Sequence, residues 1–178
     1  PIVWDESYGA RLGVMPRNGT NADVTWYEID PCYVFHPLNA YESGSDLILD
    51  VCRMDDTMKP GSSSEPKLTR WTIKTGEGRV EEVQLDDRMV DFPRVADNVV
   101  GIKHQFGYCA AFAKGAPFGA GLIKYDLEKG TSQYRDLKGG QASEPVFVSN
   151  PDGIDEDDGW VLSYVYQPER DKSEVLIL

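Results

Sequence analysis

The apolar and polar positions of this chain alternate in short bursts. Residues 12–15, 46–52, 68–73 and 80–85 read as extended segments, separated by turns rich in Gly, Pro, Asn and Asp. No stretch longer than about ten residues carries a 3.6-residue period, so the expected fold class is all-β. One burst stands apart. Tyr33-Val34-Phe35 delivers a histidine, His36, which Pro37 stops at once. Aromatic and β-branched residues favour extended backbone, and a following proline biases His36 the same way. The pattern predicts His36 at a strand end, where an imidazole can turn into a cavity. By itself, the same pattern also fits a hydrogen-bonded core histidine.

An internal repeat organises the middle of the chain. Leu68-Thr69-Arg70-Trp71 continues to Gly76 and a returning segment 79–85, and Leu122-Ile123-Lys124-Tyr125 continues to Gly130 and a returning segment 133–137. Trp71 and Tyr125 lie 54 residues apart, and the same step from Leu122 falls on Leu176 in the final apolar run. Arg11-Leu12-Gly13-Val14-Met15 occupies a comparable place with looser spacing. A four-stranded propeller blade takes roughly 40–50 residues, so the period predicts blades, about three of them in one domain over residues 1–178. The competing architecture is an open β-sandwich with two similar hairpins. Three blades do not close a ring, and the raw edges left over could pair with a second copy as a homodimer.

Composition narrows the partners. Eighteen Lys and Arg against 30 Asp and Glu give a net charge of −12, which opposes nucleic acid and anionic lipid. Three cysteines without a Cys-x-x-Cys spacing argue against a disulfide framework or zinc ribbon, and a cytoplasmic location is expected. No apolar run reaches the roughly 18 residues needed to span a bilayer. The sequence starts without Met and stops inside a strand-like run, so a piece of a longer protein is expected. Residues 60–66 read as a mobile surface loop, and 115–121 as a connection before a strand. Asp155-Glu156-Asp157-Asp158-Gly159 lacks EF-hand spacing and reads as a solvated acidic turn, with Asp158-Gly159 supplying a positive-φ position.

Motifs for chemistry are few. There is no phosphate loop, no Gly-x-Ser-x-Gly and no His-x-x-x-His pair. Two carboxylates, Asp91 in Val90-Asp91-Phe92-Pro93-Arg94 and Glu144 in Ser143-Glu144-Pro145-Val146, sit beside apolar residues and a proline, as His36 does. A carboxylate entering a buried face needs a donor, which an arginine or a turn supplies as readily as a functional partner.

Taken together, Phe35-His36-Pro37-Leu38-Asn39-Ala40-Tyr41-Glu42, Leu68-Thr69-Arg70-Trp71, Asp91-Phe92-Pro93-Arg94, Lys124-Tyr125-Asp126-Leu127 and Glu144-Pro145-Val146-Phe147-Val148 through Glu156-Asp157-Asp158-Gly159-Trp160 resemble the carotenoid cleavage oxygenase family, in order along essentially the whole chain. That family includes the bacterial lignostilbene dioxygenases. The resemblance implies a partial seven-bladed β-propeller and an axial Fe2+ held by four histidines. It also implies O2-dependent cleavage of a C=C bond in a carotenoid, apocarotenoid or stilbene to two carbonyl products. It casts His36 as the third iron ligand. Asp91 falls where the family has a glutamate that orients that histidine, and Glu144 resembles the glutamate that orients the fourth. Asp91 is one methylene short, so its contact to His36 is expected to need a closer backbone or a bridging water. His104 matches a stretch that holds no ligand. With one ligand of four, the isolated chain is expected to lack oxygenase activity. The rival reading is a β-repeat interaction module that keeps the fold without the metal.

Overall fold

Half-buried and exposed positions alternate along β1 (Ala10–Val14), which pairs with β2 (Thr25–Ile29) as an antiparallel ribbon in the computed structural model. The structure describes residues 3–57, 59, 61–115 and 118–178. Beyond the ribbon, β3 (Tyr33–Ser43), β4 (Asp46–Met54), β5 (Lys67–Lys74) and β6 (Arg79–Gln84) form one four-stranded antiparallel meander. A second meander follows as β7 (Val90–Arg94), β8 (Phe106–Phe112), β9 (Gly119–Asp126) and β10 (Thr131–Asp136). The third unit holds β12 (Val146–Ser149), β13 (Gly159–Gln167) and β14 (Lys172–Ile177), joined to the second through the short β11 (Gln141–Ala142). These are three consecutive blades of a partial β-propeller. The expected all-β architecture and blade count both hold.

The 54-residue step has a plain structural meaning. Leu68, Leu122 and Leu176 fall in β5, β9 and β14, the third strand of each blade. β5 and β9 alternate or run buried, whereas the outer strand β10 is exposed throughout and β14 nearly so. β5 and β9, packed on both faces, must keep their apolar residues, and this is why the repeat is visible between them. The main core lies where the blade faces meet, with Leu38, Cys52, Leu68, Val90, Tyr108, Cys109, Ile123 and Tyr125 at its centre. Tyr108 stacks on Phe147 at 5.0 Å and 8°, which ties the second blade to the third. Gly107 makes room for Leu38: a Cβ there would stand 2.9 Å from Leu38 Cδ2.

Four sequence expectations need correcting. His36 lies inside β3, not at its end, because Pro37 is accommodated in a bulge of a strand that pairs with β4 alone. On such an edge the missing N–H costs no ladder bond. The acidic turn is not simply solvated. Glu156 accepts the backbone N–H groups of Gln105 and Phe106 at 2.8–3.0 Å, and Asp157 pairs with Lys124, so the turn clasps the second blade. Neither Asp158 nor Gly159 has positive φ; Gly159 is required because a Cβ would stand 2.3 Å from the Val148 carbonyl oxygen. The connection expected over 115–121 already becomes strand at Gly119, and Ala116 and Pro117 lie outside the described residues. In the 60–66 loop, Pro60 lies outside the described residues, and the Ser64 hydroxyl accepts the Asp55 N–H at 2.8 Å.

Candidate metal-ligand histidine and its acid partner

The site begins with the irregularity in β3. Its register against β4 shifts between Val34 and Pro37 and again between Pro37 and Asn39. Each shift places an extra residue on β3, and bulges of this kind re-aim side chains. Leu38 and Asn39 are consequently consecutive and both buried, while the His36 side chain keeps 45% of its exposure. The ring turns towards β7 of the neighbouring blade. There Asp91 Oδ1 stands 2.9 Å from His36 Nδ1, a direct contact.

Asp91 is itself held in place. Its Oδ1 accepts the N–H of Phe92 at 2.8 Å, and the carboxylate is 12% exposed. Phe92 adopts φ 52°, in the left-handed region, within an irregular pairing between Asp91 and Arg94. A bulky residue there stores roughly 1–3 kcal/mol of strain, which persists where surrounding structure over-determines it. Because Asp91 Oδ1 acts as an acceptor, the hydrogen of the neutral imidazole sits on Nδ1, and Nε2 presents its lone pair. Nε2 has no hydrogen-bond partner among the described residues. His36 lines an apolar cavity of about 390 Å³ with Phe35, Met54, Met89, Phe92 and Phe112.

Glu144 lies elsewhere. It precedes the fully buried Pro145 on the approach to β12, is 46% exposed, and accepts from Arg94 Nη1 at 3.1 Å. It does not reach His36. Arg94 also approaches Asp97 at 3.4 Å, so a single bulged segment, 91–94, contacts His36 through Asp91 and Glu144 through Arg94. His104 is buried away from this cavity and its Nδ1 is 3.0 Å from Asn39 Nδ2. Burial holds the His104 pKa below its usual value against the opposing pull of Asp50 and Glu156.

The buried carboxamide of Asn39 was not singled out by its sequence alone. The available signal was a primary amide between Leu38 and Ala40 in a strand, since a buried amide must find partners. A second cleft, polar and about 510 Å³, opens beside the β4–β5 connection, where Arg53 is paired with Asp55 and Glu82. Among the described residues, no three His, Cys, Asp or Glu come together in a way that could hold a metal. The donor set here is therefore one imidazole, and its chemistry fits: a carboxylate fixes the far nitrogen, and the near one is bare and walled by hydrocarbon.

Consecutive antiparallel blades, with a carboxylate-fixed imidazole beside an apolar cavity, define a partial propeller with one candidate metal ligand. The family model described as retinal pigment epithelial membrane protein matches residues 1–178, and the chain belongs to that family. It is 42% identical to the carotenoid cleavage oxygenase of Mycobacterium tuberculosis, over all of this chain and 39% of the relative. Identity to the apocarotenoid-15,15'-oxygenase of Synechocystis is 32%, over 95% of this chain and 37% of that protein. The isoeugenol monooxygenase of Pseudomonas putida is 26% identical over 99% of this chain and 42% of its own length. The crystal structure of cobalt-substituted Synechocystis apocarotenoid oxygenase superposes with a TM-score of 0.87 at 29% identity, covering 96% of this chain and 38% of that one. This chain thus spans about two fifths of the length of the relatives it matches. No helix among the described residues is long and apolar enough to cross a membrane.

Proposed function

We propose that the whole protein is a non-haem Fe(II) oxygenase that cleaves an alkene C=C bond with O2 to give two carbonyl products, and that His36 is one of its iron ligands. The observation that carries this is the 2.9 Å contact between His36 Nδ1 and Asp91 Oδ1, which leaves Nε2 bare beside an apolar cavity. The names of the relatives, two carotenoid or apocarotenoid oxygenases and an isoeugenol monooxygenase, support alkene oxygenation. The cobalt-substituted form of the Synechocystis relative supports a metal in the fold.

Neutral imidazoles leave the charge of a ferrous ion intact and keep coordination positions open, which suits activation of O2. This chain's residues supply the surroundings. Asp91 fixes the ring's tautomer and raises the basicity of Nε2. Phe35, Phe92, Phe112, Met54 and Met89 exclude water and accept an extended apolar polyene or stilbene. Glu144 orients a further histidine lying beyond this chain, with Arg94 holding its other side. This chain by itself offers one imidazole and has no oxygenase activity. The outer edge of β14, with Val175 and Ile177 exposed, is where a second copy of the isolated chain would pair, checked by light scattering at two concentrations.

The test is full-length protein, loaded anaerobically with Fe2+ and then given air with a stilbene or an apocarotenoid. Two carbonyl fragments by mass spectrometry, lost in His36→Ala, are expected. Unchanged turnover in His36→Ala would remove the histidine from the site.

A further inference from the structure

Asn39 sits three residues beyond His36 on the same bulged strand, and its side chain is spent entirely on the neighbouring blade. Asn39 Oδ1 accepts the Gly101 N–H at 2.9 Å, which fixes the oxygen end of the amide. Nδ2 is therefore the donor, and it stands 3.1 Å from Val99 O, 3.1 Å from Ile102 O and 3.0 Å from His104 Nδ1. Two hydrogens serve three acceptors in a buried place, where each unmade bond would cost about 1–3 kcal/mol. All four partners belong to 99–104, the connection that runs from β7 to β8. Since β7 carries Asp91, both that pair and this amide join the blades holding His36 and Asp91, alongside the bond from the Val90 N–H to Pro66 O at 2.9 Å.

An aspartate has a single methylene with which to span the gap between β3 and β7. A direct 2.9 Å contact therefore demands that the two strands stay close. β3 and β7 belong to different sheets and share no ladder bonds, so no backbone register sets their separation. We infer that Asn39 is a positioning residue for the His36–Asp91 pair: its knot onto 99–104 holds β3 against the second blade at the distance a short carboxylate requires. Packing of Leu38 on Gly107 supports the same approach from the adjacent position.

The inference concerns the pair itself; only its consequence for iron rests on the proposed function. The test uses full-length protein with 15N-labelled histidine, first metal-free and then titrated with Fe2+ against a chelator. Wild type is expected to show His36 locked with its proton on Nδ1. Asn39→Ser, too short to reach the connection, should mix the two tautomers and weaken Fe2+ binding about 10-fold, the scale seen when a ligand's orienting partner is disturbed. Asp91→Glu alone, too long for strands held this close, should lose a similar factor. In the double variant the longer acid spans the widened gap, restoring the locked tautomer and bringing affinity to within about 3-fold of wild type.

A locked tautomer in Asn39→Ser, or a double variant whose losses multiply, overturns the inference. If Asn39→Ser does not fold, Asp91→Glu in the otherwise native protein decides: an unchanged tautomer and affinity would show that the separation is not held at aspartate length. Wild-type protein that shows the locked tautomer but binds no Fe2+ would sink the oxygenase reading and leave the positioning role standing.

Discussion

Arg70 grips Asp50 with two hydrogen bonds of 2.7 Å each, and the carboxylate it grips is fully buried. The two residues face each other across β4 and β5, in register, within the first blade. The guanidinium fork matches the carboxylate's two oxygens, and this geometry offsets the cost of burying the charge. His104 Nε2, also without exposure, stands 3.9 Å from Asp50 Oδ2, too far for a hydrogen bond. Among the described residues, Arg70 is therefore the one strong partner of this carboxylate.

Removing Arg70 alone should be far worse than removing both partners. Arg70→Met strands a buried carboxylate and is expected to cost about 3–5 kcal/mol, whereas Arg70→Met with Asp50→Leu should recover most of it. Urea unfolding of the two variants and wild type measures this. A double variant as unstable as the single one would show that the pair stabilises through more than its own neutralisation.

The repeat and the candidate residues were legible through the same spacing. The first strand of each blade recurs after about one period, and His36 in β3, Asp91 in β7 and Glu144 just before β12 follow it at steps of 55 and 53 residues. Phe35 and Pro37 marked the place of His36 but not its direction. The two register shifts in β3 decide the direction, and a bulge depends on what the partner strand offers, which no local pattern contains. The acidic turn was misread for a similar reason. The Gln105 and Phe106 N–H groups that Glu156 captures lie some 50 residues away and announce nothing in the sequence around the turn.

Gly159 offers a sharp contrast between two kinds of glycine. A Cβ there would stand 2.3 Å from Val148 O and 2.7 Å from Phe147 Cζ, and the β12–β13 ladder cannot yield without breaking its register. Gly159→Ala should cost about 2–3 kcal/mol through overpacking. Gly78, at φ 71° in open space, should lose only about 1–2 kcal/mol as Ala, through backbone strain alone. Thermal unfolding by circular dichroism ranks the two; the reverse order would mean that the blade edge relaxes around the added methyl.

Stability should also fall in mild acid, and His104 is one cause. Burial lowers its folded-state pKa beneath the ordinary value of about 6.5 that the unfolded chain retains. Between those two values the unfolded state binds the extra proton, so this contribution is fully present above about pH 6.5 and is lost as pH falls through the folded pKa. His104→Gln keeps a polar group beside Asn39 without a titrating ring. The difference in urea midpoint between wild type and this variant should shrink on going from pH 7.5 to pH 5, and a constant difference would mean that burial does not lower the ring's pKa in the folded state.

Arg94 and Glu144 separate stability from function. Their contact at 3.1 Å joins side chains that are 39% and 46% exposed, and such pairs are worth about 0–1 kcal/mol. Arg94→Gln should therefore leave the unfolding midpoint nearly unchanged. If Glu144 orients a metal-bound histidine supplied by the rest of the protein, losing the grip on its carboxylate should weaken Fe2+ binding or turnover by about 10-fold. The two measurements together carry the argument, because a pair that merely braced the second blade against the third would move stability and iron affinity in step. Full affinity and full turnover in a stable Arg94→Gln protein would mean that Glu144 holds its position without help, or that it serves no histidine at all.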